Sequence, residues 1–132
     1  MVRPRAHPRP ILYVEDDPDV QAIARLALEN VAGFTVHVCS SGEPAVRDAA
    51  AFAPDLVLLD VMMPGMDGPS TLAALRTQPP LANTPVVFMT AKVQPSEVSQ
   101  FRSLGALDVI AKPCDPMSLG TQLRAIWETR PR

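Results

Sequence analysis

The sequence predicts an α/β fold in which helices cover both faces of a parallel sheet. Short apolar runs of strand length alternate along the chain with segments in which apolar residues recur at helical spacing. Continuous apolar runs are typical of strands that are buried on both faces, as they are in parallel sheets. The 132 residues, 47% of them hydrophobic and 20% charged, suffice for one domain with a substantial core.

The first half of the chain contains three predicted strands and two predicted helices. The apolar runs that predict strands are residues 11–14, 34–39 and 56–59. Asp17 followed by Pro18 predicts a helix start, because Asp caps free backbone N–H groups and Pro suits the first turn. Gly33 ends this helix, and residues 45–52 form the second one. The predicted apolar face of the first helix consists of Val20, Ile23, Ala24, Ala27, Leu28 and Val31.

The second half repeats this pattern and completes five strands and five helices. Residues 63–68 form a loop, after which Pro69 opens a helix that runs to about Gln78. The remaining strands are residues 86–89 and 107–111, and the last two helices carry the apolar residues Val98, Phe101, Leu104, Leu119, Leu123, Ile126 and Trp127. Asp115-Pro116 marks the start of the last helix. A doubly wound, flavodoxin-like (βα)5 sheet with strand order 2-1-3-4-5 fits this alternation best.

Charge and composition divide the chain into a core and two tails. We expect a Pro- and Arg-rich tail at residues 1–10, a folded unit at residues 11–128 and a short tail at residues 129–132. The net charge of −2 hides the acidity of the folded unit, because five of the twelve basic residues lie in the tails. An acidic folded unit argues against direct binding of nucleic acid, which requires a basic surface.

The apolar segments and the cysteines argue against a membrane protein, a secreted protein and a protein built around disulfides or zinc. No apolar run approaches the about 20 residues that span a bilayer, and no signal-peptide pattern follows the N-terminal arginines, so we expect a cytoplasmic protein without membrane attachment. Cys39 and Cys114 stand far apart without metal-binding spacing. They are interpreted as two free structural thiols.

Polar side chains follow four of the five predicted strands. In open α/β sheets, ligands bind beyond the carboxyl ends of the strands, and the residues found there are Glu15, Asp16, Asp60, Thr90 and Lys112. Crowded carboxylates resist ionisation unless positive charge compensates them. Mg²⁺ or Mn²⁺, together with Lys112, would neutralise this site. Zinc would prefer His and Cys ligands, and neither His7 nor His37 is well placed for it.

These residues resemble the response-regulator receiver domains over essentially the whole stretch from Ile11 to about Trp127. The resemblance is carried by Glu15-Asp16-Asp17, Asp60 with the loop at residues 63–68, Thr90-Ala91 and Lys112-Pro113. Each fragment is common by itself, but their order and positions together are specific. The resemblance implies that Asp60 accepts a phosphoryl group and that Thr90 and Lys112 act as the switch hydroxyl and the phosphoryl-binding lysine.

The resemblance also implies a metal site and several supporting roles. Mg²⁺ would be held by Asp16 and Asp60, by Glu15 directly or through water, and by the backbone carbonyl of Met62. Pro113 matches a position where the family has a cis peptide bond. The side chains that shape water access would be Met62 and Lys92.

One residue departs from the family pattern. The family usually carries Tyr or Phe three residues before the lysine, whereas this chain has Val109. Valine cannot make the large inward and outward rotation of an aromatic ring. We therefore expect the usual coupling between Thr90 and this position to be weakened, although the phosphorylation chemistry does not need it.

The implied function is phosphorelay signalling. A histidine kinase or a histidine phosphotransfer protein would donate the phosphoryl group, and self-dephosphorylation would reset the domain, which is not an enzyme with a separate substrate. We expect a stand-alone regulator, a relay or a phosphate sink, with an unknown downstream protein target. Two alternatives stay open: a pseudo-receiver that only binds proteins, and a haloacid-dehalogenase-like phosphatase suggested by the D-x-D pattern within Asp17-Pro18-Asp19-Val20. The N-cap interpretation of Asp17 disfavours the phosphatase.

Overall fold

The computed structural model describes residues 8–131, which form one parallel sheet between two layers of helices. Its strands are β1 (Pro10–Val14), β2 (Thr35–Cys39), β3 (Leu56–Asp60), β4 (Val86–Thr90) and β5 (Asp108–Ala111). Their order is β2-β1-β3-β4-β5, with every neighbouring pair parallel, which confirms the predicted doubly wound sheet. The predicted tail residues 1–7 and Arg132 lie outside the described residues.

The helices follow the strands in strict alternation along the described chain. They are α1 (Pro18–Leu26), α2 (Gly42–Phe52), α3 (Gly68–Arg76), α4 (Pro95–Ser103) and α5 (Pro116–Glu128). A π-helical turn at Ala27–Val31 extends α1, and a 3₁₀ turn at Pro79–Leu81 follows α3. Within residues 8–131, none of the helices is long and apolar enough to cross a membrane.

Two apolar clusters, one on each face of the sheet, hold the layers together. Successive strand residues point to opposite faces, so Tyr13 packs towards α1 and α5, whereas Leu12 and Val14 pack towards α2 and α3. All five residues of β3 and all five of β4 are buried. Burial on both faces explains why these strands are continuous apolar runs rather than alternating ones.

Aspartate caps start three of the helices, as the sequence predicts for two of them. Asp17 accepts hydrogen bonds from the backbone N–H groups of Asp19 and Val20, and Asp115 accepts one from Met117. Asp67 caps α3 in the same way. Since the Asp17 carboxylate is engaged in capping, the geometry supports the N-cap interpretation and disfavours the phosphatase alternative.

Three predicted core residues turn out to be exposed. Hydrogen bonding widens to a π turn after Leu26, and the wider turn rotates the side chains that follow, so Val31 leaves the apolar face and is 54% exposed. Ile23 is 55% exposed at the rim of the same face. Leu104 is 50% exposed because it follows the end of α4, a helix that has no fully buried residue.

Candidate functional site

The parallel sheet gathers four of the predicted site residues at one edge. Asp60 and Thr90 are the last residues of β3 and β4, Glu15 directly follows β1, and Lys112 directly follows β5. Glu15, Asp60 and Thr90 are almost completely buried although they are polar. Buried polar groups require partners, and these are the ammonium group of Lys112 for Glu15 and Asp60 and the backbone N–H of Lys92 for Thr90.

Lys112 links two of the carboxylates across the sheet. Its Nζ lies 2.7 Å from Glu15 Oε1 and 3.1 Å from Asp60 Oδ1, so strands β1, β3 and β5 meet at a single ammonium group. Burial by itself would lower the pKa of Lys112, but the hydrogen bonds to Glu15 and Asp60 outweigh it and raise that pKa. The lysine therefore stays charged at neutral pH.

Glu15 is the most completely buried carboxylate of the cluster, with 1% of its surface exposed. Burial raises the pKa of its carboxyl, and the hydrogen bond from Lys112 opposes that effect. Oε2 accepts a second hydrogen bond from the backbone N–H of Asp17 at 3.2 Å. The two oxygens are thus held by different elements, which fixes the orientation of the carboxylate.

The carboxylates fit the magnesium site that the sequence predicts. One oxygen atom each from Glu15, Asp16 and Asp60 can be chosen such that all lie within 4.8 Å of one another. Asp16 is exposed while the other two are buried, so the cluster opens to solvent on one side. An oxygen-only donor set with room for water suits Mg²⁺, which retains several of its waters in proteins.

The structure places the other predicted residues around this cluster at different depths. The hydroxyl oxygen of buried Thr90 accepts a hydrogen bond from the backbone N–H of Lys92 at 3.1 Å. The side chains of Met62 and Lys92 are exposed, and the peptide bond between Lys112 and Pro113 is cis. Val109 is half-buried and packs against the apolar cluster on the α2 and α3 face.

Two supporting residues were not predicted from the sequence. Gln21 donates its side-chain amide to the backbone carbonyl of Glu15 and also to the hydroxyl of Ser40 at 3.1 Å. Its position, one turn after the Asp17 cap, was the available signal. Gly68 brings the start of α3 against the end of β3, because a Cβ atom there would stand 2.7 Å from the carbonyl oxygen of Asp60.

Comparison with known proteins identifies the family. The response regulator receiver domain matches residues 11–124, which is most of the chain and includes every residue of the cluster. This chain belongs to the response regulator receiver domain family. The family places the protein in two-component signalling and makes the domain a signalling module.

Two regulatory proteins are similar to this chain over nearly its whole length. It is 34% identical over 116 residues to the transcriptional regulatory protein CseB of Streptomyces coelicolor, covering 88% of this chain and 48% of CseB. It is 36% identical over 115 residues to the DNA-binding response regulator MtrA of Mycolicibacterium smegmatis, covering 87% and 49%. The chain therefore spans about half the length of these relatives.

A solved structure supports the fold as well. The receiver superposes on the chemotaxis protein CheY4 of Vibrio cholerae with a TM-score of 0.83 and 25% identity, and the match covers 89% of this chain and 98% of CheY4. The (βα)5 architecture thus agrees with that of a solved response regulator.

Proposed function

We propose that this receiver accepts a phosphoryl group on Asp60 from a phosphohistidine of a kinase or phosphotransfer protein. The observation that carries the proposal is the pair of contacts from Lys112 Nζ to Glu15 at 2.7 Å and to Asp60 at 3.1 Å. Together they hold a buried carboxylate at the sheet edge beside a cation and two further acids. We also propose that the receiver unit spans residues 11–128.

In the proposed transfer, a carboxylate oxygen of Asp60 attacks the phosphorus of the phosphohistidine. The phosphorus–nitrogen bond breaks, the imidazole nitrogen keeps the electron pair, and Asp60 becomes an acyl phosphate. Phosphoryl transfer of this kind depends mainly on positioning and on charge stabilisation. Lys112 supplies a compact positive charge to a phosphoryl oxygen, and the hydroxyl of Thr90 becomes a hydrogen-bond donor to another.

We further propose that Glu15, Asp16, Asp60 and the backbone carbonyl of Met62 hold Mg²⁺, with Mn²⁺ as a possible substitute. When bound, the ion supplies charge neutralisation to the transferring phosphoryl group. Calorimetric titration should give weak binding to the wild-type protein and weaker binding to Asp16→Ala. Equal affinity in the two proteins would contradict this set of ligands.

Self-dephosphorylation completes the proposed cycle. Water attacks the phosphorus of the acyl phosphate, the phosphorus–oxygen bond to Asp60 breaks, and inorganic phosphate leaves the regenerated carboxylate. We propose that the exposed side chains of Met62 and Lys92 shape the access of this water. In this scheme the domain acts on its own phosphoryl group and turns over no separate substrate.

The proposed partner is a protein that presents a phosphohistidine. MtrA is by its name a DNA-binding regulator, but this chain matches about half of it. The negative charge of the folded unit supports a function without direct contact to nucleic acid. Because Val109 replaces the usual aromatic residue, we favour a relay or phosphate sink over a regulator that signals through the α4–β5–α5 face.

Phosphorylation of purified protein tests the proposal directly. Acetyl phosphate with Mg²⁺ should add one phosphoryl group by intact mass, and Asp60→Asn should abolish the addition. Asp108→Asn is the matched control, since Asp108 starts β5 at the opposite end of the sheet and pairs with Arg102. Labelling that persists in Asp60→Asn would refute the assignment. Failure of the wild-type protein to accept label would favour the pseudo-receiver alternative.

A further inference from the structure

A second group of metal-binding side chains lies between β2 and α2. Because alternate residues of a strand face the same side, His37 and Cys39 both point towards α2, from which Asp48 approaches them. β2 is an edge strand of the sheet, so this region can be reached from solvent. The group shares no residue with the carboxylate cluster around Asp60.

The three side chains are already close enough to share one ion. Asp48 Oδ2 lies 3.1 Å from His37 Nε2, and a ring nitrogen, a carboxylate oxygen and the Cys39 sulfur all lie within 4.8 Å of one another. Zinc holds nitrogen at about 2.0–2.1 Å and sulfur at about 2.3 Å in a tetrahedral shell, which puts ligand atoms about 3.5 Å apart. Small side-chain rotations therefore suffice to close the group around an ion.

Burial and neighbouring contacts give the group a defined interior and an open side. Cys39 lies at the base of the group and is 4% exposed, while the side chains of His37 and Asp48 are 40% and 32% exposed. The ring of Phe52 lies 5.4 Å from that of His37 and packs against it. Arg47 bonds Oδ1 of Asp48, which leaves Oδ2 directed at His37.

The donor set determines which ions can compete for the group. One nitrogen, one sulfur and one oxygen atom form a set that zinc and similar borderline-soft ions accept. Mg²⁺ requires oxygen ligands and would not select it. The two clusters of this receiver thus differ in chemistry as well as in position.

We propose that His37, Cys39 and Asp48 form a binding site for one zinc-class divalent cation, with water completing a tetrahedral shell. The site is independent of phosphorylation at Asp60. A thiol must lose its proton to bind a metal ion, so loading of this site releases one proton.

Cobalt(II) is the probe that tests the site, because a thiolate bound to it produces a charge-transfer absorption in the near ultraviolet. The full chain is titrated with Co²⁺ in the presence of excess Mg²⁺, which occupies the carboxylate cluster. We expect one equivalent to bind with a thiolate band that Zn²⁺ displaces. Cys39→Ala should lose the band, and His37→Gln and Asp48→Asn should weaken binding at least about tenfold.

Matched variants separate this site from other sources of metal binding. Cys114→Ser and His7→Gln remove the other cysteine and the other histidine, and Asp60→Asn alters the carboxylate cluster. All three should bind Co²⁺ as the wild type does. A missing band in the wild type, or a band retained in Cys39→Ala, overturns the proposal, as does loss of the band in Cys114→Ser.

A stability measurement keeps the test decisive if Cys39→Ala folds poorly. His37 and Asp48 are partly exposed, so His37→Gln and Asp48→Asn should stay folded. Zn²⁺ should raise the melting temperature of the wild-type protein, because a ligand that binds only the folded state stabilises it. The same rise in His37→Gln would refute the site.

Discussion

The charges around Asp60 are unbalanced in the metal-free protein. Three carboxylates, from Glu15, Asp16 and Asp60, face one ammonium group, that of Lys112. Repulsion between like charges and desolvation both disfavour such an arrangement, so the fold holds these residues together at a cost in stability. A bound cation or an added phosphoryl group changes this balance, which is why the cluster suits a switch.

Glu15→Gln should stabilise the metal-free protein at neutral pH. The folded pKa of Glu15 lies above its ordinary value of 4.5 because of burial, so its contribution to stability is full below that value and falls as pH rises through the folded pKa. Glutamine carries no charge and still offers Lys112 an acceptor oxygen. We expect a gain of about 1 kcal/mol at pH 7 that disappears near pH 4, measured by urea unfolding at both pH values. Equal or lower stability of the variant at pH 7 would show that the pairing with Lys112 outweighs desolvation.

The two thiols should differ in reactivity. Cys39 is 4% exposed, and burial raises its pKa to about 11, whereas Cys114 is half-buried. Since the thiolate is the nucleophile, iodoacetamide at pH 8 should modify Cys114 first. Peptide mass spectrometry over a time course measures the order, and Cys114→Ser should remove the fast phase. A fast phase that persists in Cys114→Ser would mean that Cys39 is accessible.

At the scale of elements, the contact between the end of β3 and the start of α3 positions Asp60. The N–H group of Gly68 donates to the carbonyl of Val61 at 2.9 Å, and Gly68 has no side chain to separate the two backbones. A Cβ atom would lie 2.8 Å from Val61 Cα and 2.7 Å from Asp60 O, distances that demand a backbone shift. The position of Asp60, the proposed phosphoacceptor, thus depends on a glycine eight residues further along the chain.

Gly68→Ala should destabilise the receiver and slow its phosphorylation. Overpacking against backbone costs about 1–3 kcal/mol, and displacement of Asp60 should slow labelling by acetyl phosphate about tenfold or more. Ser70→Ala is the control, because Ser70 is exposed in the same turn and should change stability by less than about 0.5 kcal/mol. Wild-type labelling rates in Gly68→Ala would show that the close approach does not position Asp60.

At the scale of the whole molecule, β5 connects the site to the surface formed by α4, β5 and α5. In β5, Val109 stands where the family usually has an aromatic residue. Val109 pairs with Phe88 in the register of β4 and β5. Phe88 in turn packs edge-on against Phe101 of α4, with ring centroids 5.2 Å apart. Neither phenylalanine occupies the position of the missing ring, so a phosphoryl group on Asp60 would find no rotating aromatic side chain in β5 through which to move α4.

Beryllofluoride with Mg²⁺ should therefore change amide NMR shifts beside Asp60 and Thr90 more than on the distant face. A ligand shifts an equilibrium only by its different interaction with the two states, and valine offers little difference. We expect small changes across residues 98–101 and 119–123, and larger ones there in Val109→Tyr. Changes on that face as large as those beside Asp60 in the wild type would show that coupling is intact and would remove the argument for a relay or sink.

The sequence by itself determined the order of strands and helices and the chemistry at the strand ends. Hydrophobic periodicity and Asp-Pro caps act locally, so β3, its terminal Asp60 and the cap at Asp17 could be predicted from a few neighbouring residues. The parallel sheet then follows from the alternation of elements, and it gathers Glu15, Asp60 and Lys112 at one edge. Exact strand ends and the exposure of Val31 could not be predicted, because a π turn changes the phase of the helix.

Contacts between residues far apart in the chain were decided only by the tertiary structure. The spacing of His37 and Cys39 matches no metal motif, and Asp48 joins them only because α2 packs over β2. Likewise, the bond from Lys112 to Glu15 spans 97 positions, and the close approach of Gly68 to Asp60 depends on how α3 meets β3. Such distances are set by the packing of whole elements, which no local pattern of residues encodes.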